Sequence, residues 1–242
     1  MTVDSRDREL SLIQHLDELR RRLVVAAIAV AVTTGGAFFF SSSIVRFLLA
    51  PAGIQRCVAF SPTENFTTFL RVALFAGIAL AMPVLLYEIY AYVDPALMSN
   101  ERKFVLISGP FVLLLFLTGM AFCYYLLLPH ALDFLLHFGS DVIDNQLRCN
   151  EYLSFVTTFI LGVGLIFELP ALIVALVRIG VVQRSWLAKQ RRYVFLASFI
   201  AGAIITPTPD PFNQTLVSLP IYFLYELGLL LARFVGGPRR AA

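Results

Sequence analysis

Long uncharged apolar stretches alternate along the chain with short links that carry nearly all the charge. A helix needs roughly 20 residues to cross about 30 Å of hydrocarbon. On that measure the sequence predicts six helices: Leu23–Phe40, Phe66–Tyr92, Phe104–Pro129, Tyr152–Val177, Tyr193–Thr206 and Phe212–Ala232. None of these runs alternates polar with apolar positions. That excludes the strands of a closed barrel and leaves an all-α integral membrane protein. The fifth run, bracketed by Arg192 and Pro207, gives only about 21 Å of helix at 1.5 Å per residue. It must thin the bilayer locally or lie behind longer neighbours.

The links differ in character. Residues 41–65 are semi-apolar and contain Pro51 and Pro62, which reads as an interfacial cap rather than a free loop. Residues 130–151 open with LDFLLHF, a short surface helix, and the fifth and sixth spans are joined by the rigid PTPDP. No internal repeat marks an inverted-repeat transporter. The expected organisation is one membrane domain over 1–242. It has a cytoplasmic amphipathic segment at 1–22, a six-helix core at 23–232 and a short basic tail at 233–242.

Composition sharpens this picture. Apolar residues make up 59% of the chain and charged residues 14%, with a mean hydropathy of +0.80. A soluble protein of this size could not cover so much apolar surface. A net charge of +3 is too small to point to nucleic acid, and none is expected as a partner. The distribution of charge says more. Of 19 Lys and Arg residues, only Arg46, Arg56, Arg71 and Arg148 fall on the side opposite the termini. The positive-inside rule then puts both termini in the cytoplasm. The segment before the first span is too long and too acidic for the n-region of a cleaved signal.

Chemistry adds exclusions first. There is no H-E-x-x-H, no G-x-S-x-G and no pair of intramembrane aspartates, so no catalytic residue is expected. No His/Cys spacing suits a metal. Cys123 lies within the third span as a small buried hydrophobe. Cys57 and Cys149 fall in two loops of the non-cytoplasmic side, where either a bridge or two free thiols is compatible with the sequence.

The acidic residues are more informative. Ser11 and Gln14 form a capping-box pattern, SLIQ, and Leu12, Leu16, Leu19 and Leu23 fall on one helix face. Beside that stripe, Asp17–Arg21 and Glu18–Arg22 are i,i+4 pairs, and spacing alone reads them as helix-stabilising partners at about 0.2–0.5 kcal/mol each. A second acid–base group, Tyr92, Asp94, Pro95, Glu101, Arg102 and Lys103, occupies the next link on that side. Pro95 ends the second span, and Glu101 suits the dipole at the start of the third. Glu168, followed by Pro170, lies well inside the fourth span. A carboxyl there costs on the order of 2.5–3.5 kcal/mol and should face protein or a watery cavity. Glu88 and Glu226, nearer span ends, read as interfacial residues. Two functions remain open on the residues alone. One is a proton-coupled small-solute transporter using Glu168; the other is a receptor or scaffold whose cytoplasmic carboxylates await a cationic ligand.

Several stretches carry a resemblance to a known family: HLDELR, MPVLLYEIYAYVDPAL, NERK, GMAFCYYLLLP, YLSFV, FELP, QRRYV and TPTPDPFNQTLVSLPIY. In this order over six spans, the chain resembles TatC, the multispanning subunit of the twin-arginine protein translocase. The resemblance implies a concave, glove-like array of six helices, N-in and C-in, with the fifth and sixth short. It implies no cofactor and no enzymatic activity. It also implies a protein of a bacterial or archaeal cytoplasmic (inner) membrane that binds twin-arginine signal peptides of folded cargo, transported by the proton-motive force. The partners implied are TatA/TatB-like single-span proteins, other TatC copies and the lipid bilayer.

The family's signal-binding positions fall on Glu18 and Glu101, with Arg20 orienting Glu18 and with Tyr92 and Pro95 beside them. Its intramembrane and partner-docking positions fall on Glu168, Thr206, Asp210 and Gln214. Pro51, Pro83 and Pro170 are taken as structural. The chain departs from the family in having Tyr92 where Phe is usual, the extra acid Asp94, and a link before Asp210 that is one residue longer. A Cys57–Cys149 bridge is not a general feature of the family.

Overall fold

The structure is a computed structural model that describes residues 12–54, 56–93, 99–138, 147–206 and 210–235. The described residues form α1 (Leu12–Phe39), α2 (Ser41–Leu49) with a 3₁₀ turn (Ala50–Ala52), α3 (Pro62–Val93) and α4 (Ser99–Phe122). A π turn (Cys123–Leu127) leads into α5 (Leu128–His137), followed by α6 (Cys149–Ile166), α7 (Leu169–Arg178), α8 (Arg184–Lys189), α9 (Arg191–Ile205) and α10 (Pro211–Val235). Five stretches are long and apolar enough to cross a membrane: His15–Phe39, Pro62–Val93, Ile107–His137, Cys149–Arg178 and Pro211–Phe234. The sixth pass is α9, at 15 residues the short helix that was expected. Six passes leave Leu12 and Val235 at one face, the terminal face. The cap of α2 and the link 147–149 lies at the other.

Three expectations are corrected. The third span does not stop at Pro129. It runs on into α5, so LDFLLHF continues that helix instead of forming a separate surface helix. The physical reason is the π turn. Pro129 lacks an N–H and its ring would crowd the carbonyl of Tyr125, and a widened turn just upstream relieves both problems. The last helix is not short: α10 has 25 residues, about 37 Å at 1.5 Å per residue. The fourth span is two helices. Phe167 and Glu168 form a turn between α6 and α7, because Pro170 sits in the first turn of α7 and cannot continue the α6 ladder. By contrast Pro83 stays inside α3.

The core is uneven. Its larger part lies towards the cap, where Leu48, Val72, Cys123, Leu128, Leu153, Val156 and Phe159 are buried together. A smaller cluster of Ile173, Val177, Tyr225, Leu229 and Ala232 joins α7 to α10 near the terminal face. Gly228 permits that contact, since a Cβ there would lie 3.0 Å from Pro170 Cα. Helix α1 stands outside both clusters and rests chiefly on α3.

The cap is fastened covalently and electrostatically. Cys57 and Cys149 form a disulfide across Cα atoms 5.0 Å apart, resolving the alternative left by the sequence. Around it, Val58 N–H donates to Leu147 O at 3.1 Å and Cys149 N–H donates to Val58 O at 2.9 Å. Glu64, buried at 5% exposure, accepts from Arg148 Nε at 3.0 Å, from Phe60 N–H at 3.0 Å and from Asn150 N–H at 3.4 Å. Arg148 also donates to Glu151 at 3.0 Å and lies over the Phe60 ring. Its hydrogen bond to Glu64 holds the guanidinium pKa above its usual value. Tyr152 OH donates to Leu48 O at 2.8 Å, tying α6 to α2.

Candidate functional site

At the terminal face α1 and α3 run antiparallel, with their polar residues in register. Within the leucine stripe of α1, Leu16 and Leu23 are exposed at 65% and 60%. The adjoining face of α1 carries His15, Glu18 and Arg22 at i, i+3 and i+7. On α3, Glu88 and Tyr92 are four residues apart and share a face. The two faces meet: His15 stacks on Tyr92 with ring centroids 4.6 Å apart, and Arg22 reaches Glu88. Further along, Thr33 Oγ1 donates to Gly77 O at 2.8 Å. Gly77 sets the spacing, because a Cβ there would lie 2.7 Å from Thr34 Cα.

Arg22 is the centre of this arrangement. Its Nε and Nη2 both donate to Glu18 Oε1, at 3.1 and 2.8 Å. Its Nη1 donates to Glu88 Oε2 at 3.0 Å. Two carboxylates thus share one guanidinium, leaving a net charge of −1. The Glu88 side chain is 10% exposed, whereas those of Glu18 and Arg22 are each 27% exposed. Among the described residues, Glu18 Oε2 has no partner. The site therefore presents an accessible acceptor with a guanidinium fork already on its other oxygen.

Several sequence readings are revised here. The Glu18–Arg22 pair forms as expected, but Asp17 and Arg21 are both exposed and no ion pair joins them among the described residues. Arg20 is exposed, and Arg22 is the arginine that holds Glu18. Glu88 is no interfacial residue but a buried partner of α1. Neither Arg22 nor Glu88 had been singled out as a site residue. The available signal was Glu88 one turn before Tyr92 in an otherwise apolar run. Glu101 stands in the first turn of α4. Asp94 and Pro95, like Ser11 of the capping pattern, lie outside the described residues.

The second candidate site is the break at Glu168. Both carboxylate oxygens are buried and, among the described residues, without a hydrogen-bond partner. An unsatisfied carboxyl at membrane depth is costly. The remaining predicted positions cluster at the link between α9 and α10. Thr206 is buried, and its hydroxyl donates to Gly202 O at 2.8 Å. Gln214 donates from Nε2 to Phe199 O at 3.0 Å. Asp210 caps α10, accepting from Asn213 N–H at 2.7 Å and from Asn213 Nδ2 at 3.0 Å. Of the three, Gln214 ties α10 to α9, whereas Thr206 bonds back into α9 and Asp210 closes the first turn of α10. Glu226, expected at an interface, pairs with Arg191 at 2.7 Å. No cluster of three or more potential metal ligands occurs among the described residues.

Comparison with known proteins decides between the two open functions. The family model described as Sec-independent protein translocase protein (TatC) matches residues 14–220. The chain belongs to the TatC family. It is 33% identical over 231 residues to the TatC of Carboxydothermus hydrogenoformans, covering 95% of both chains. It is 35% identical to TatCy of Bacillus subtilis, over 93% of this chain and 89% of that protein. With chloroplastic TATC of Arabidopsis thaliana it shares 36% identity over 95% of this chain and 68% of the relative. The crystal structure of the twin-arginine translocase receptor TatC superposes with a TM-score of 0.82 at 33% identity. That match covers 91% of this chain and 99% of the crystallised one. A TatC is a component of a Sec-independent protein translocase, not an enzyme, and the solute-transporter reading finds no support.

Proposed function

We propose that this protein is the signal-peptide receptor and organising core of a twin-arginine translocase. On this reading the terminal face is cytoplasmic, as the basic residues gathered there imply, in a bacterial or archaeal inner membrane. Glu18 and Glu101 bind the two consecutive arginines of a signal peptide, with Arg20, Tyr92 and Pro95 shaping the approach. The peptide's apolar part lies along the exposed Leu16–Leu23 stripe of α1. The observation that carries the reading is the half-occupied carboxylate of Glu18, accessible at the end of α1 and already in a guanidinium's geometry. A carboxylate takes a guanidinium through charge-assisted, forked hydrogen bonds that an ammonium cannot reproduce.

Beyond recognition, the unsatisfied Glu168 receives a polar residue from a TatA/TatB-like single-span helix. Thr206, Asp210 and Gln214 frame the neighbouring docking surface, other TatC copies complete the assembly, and the proton-motive force drives transport. The short α9 thins the bilayer beside this surface. The test is export of twin-arginine cargo from cells carrying Glu18→Ala, Glu101→Ala or both. Each variant is expected to accumulate in the membrane at normal levels with export abolished. Normal export by the double variant would overturn the reading.

A further inference from the structure

The Arg22 guanidinium already occupies one oxygen of the carboxylate that is to bind a ligand's guanidinium. A site that keeps such a group of its own must either release it or accommodate two. Geometry favours a particular division. Arg22 gives two N–H groups to a single oxygen of Glu18, at 3.1 and 2.8 Å, and a third N–H to Glu88 at 3.0 Å. Glu88 is the more deeply buried acid and lies on a different helix. An arginine that lets go of Glu18 therefore stays anchored on Glu88 and is not left as an unpaired, half-buried charge. The count of charges agrees: one guanidinium between two carboxylates leaves a deficit of one cation, which one ligand arginine fills.

We infer that Arg22 is a resident competitor for Glu18, and that Glu88 is the positioning residue that draws it aside when a ligand arginine arrives. This rests on the receptor reading above. In the free protein Arg22 keeps Glu18 paired and α1 seated on α3. On binding, the ligand fork takes Glu18, Arg22 remains on Glu88, and the site holds two neutral pairs. A lysine on the ligand cannot offer a planar fork to displace the one already present. The resident arginine thereby raises the threshold for weaker cations, a repulsive element of specificity added to the attractive one.

The exchange predicts mutant effects that a merely structural role would not produce. Without Glu88, Arg22 settles wholly on Glu18 and competes harder. The test is the affinity of a twin-arginine peptide and its twin-lysine analogue for the full chain in lipid nanodiscs. Glu88→Gln is expected to weaken twin-arginine binding about tenfold. Adding Arg22→Gln to Glu88→Gln removes the competitor and should restore affinity to within about twofold of wild type. Arg22→Lys keeps the charge on Glu88 but grips Glu18 less well, and should strengthen binding about threefold.

A double variant as weak as Glu88→Gln alone would overturn the exchange, as would unchanged affinity in Glu88→Gln. Should Glu88→Gln not fold, Arg22→Lys decides the matter, since equal or weaker binding contradicts a resident competitor. Failure of the receptor reading is visible separately. In that case the wild-type protein would bind the arginine and lysine peptides alike.

Discussion

At the cap face, Glu64 is buried and takes hydrogen bonds from Arg148 and from two backbone N–H groups, beside a disulfide. At the terminal face, Glu18 is partly exposed, uses one oxygen, and shares its arginine with an acid on another helix. The residue chemistry is the same, yet the two clusters differ in how fully the carboxylate is used. A carboxylate surrounded by donors on a covalently closed frame has nothing left to offer a ligand. One with a free oxygen on a loosely buried helix can exchange partners. The contrast separates a structural clasp from the proposed recognition site more surely than the presence of an ion pair does, since exposed pairs contribute little on their own.

This comparison can be broken in a definite order. Opening the clasp should give the largest effect on stability. Cys57→Ser with Cys149→Ser frees a link between residues separated by 92 positions and is expected to cost about 2–4 kcal/mol. Unfolding in detergent measures this, while twin-arginine peptide affinity should stay within about twofold. Glu18→Gln should do the reverse, lowering peptide affinity at least about 30-fold by loss of a charge-assisted pair. The melting temperature should barely change. Gly77→Val pushes α1 off α3 at the level of Thr34. It should destabilise by about 1–3 kcal/mol and also weaken peptide binding, because His15, Glu18 and Arg22 lose their register with Glu88 and Tyr92. Asp17→Asn should be nearly silent in both assays, since Asp17 is exposed and unpaired with Arg21. A large effect there would return weight to the acids that point away from α3.

What the sequence made legible follows from the range of each interaction. The six passes and the short α9 are local consequences of hydropathy and proline and were readable, but the break at Phe167 and Glu168 and the full length of α10 were not. The pairing of Cys57 with Cys149 was open because spacing does not fix which loops meet. The π turn before Pro129 was missed because a proline ordinarily signals an end, and only the chain beyond it shows that a widened turn let the helix continue. The Arg22–Glu88 contact, 66 residues apart, has no local signature. A reading by i,i+4 spacing finds Glu18 as Arg22's partner and then leaves Glu88 looking like a surface residue. Likewise Gln214 stands out as a polar residue, but its bond to Phe199 depends on how α9 meets α10.

On the proposed function the terminal face binds a pair of arginines at Glu18. Its most direct test is site-specific crosslinking of a twin-arginine peptide to single cysteines placed at Asp17 and Asn100 on the terminal face and at Ser61 on the cap. Crosslinks are expected at positions 17 and 100. They should be lost when the peptide's arginines become lysines or when Glu18→Gln is added, with none at position 61. Crosslinks at position 61, or crosslinks at position 17 that persist with the lysine peptide, would contradict it.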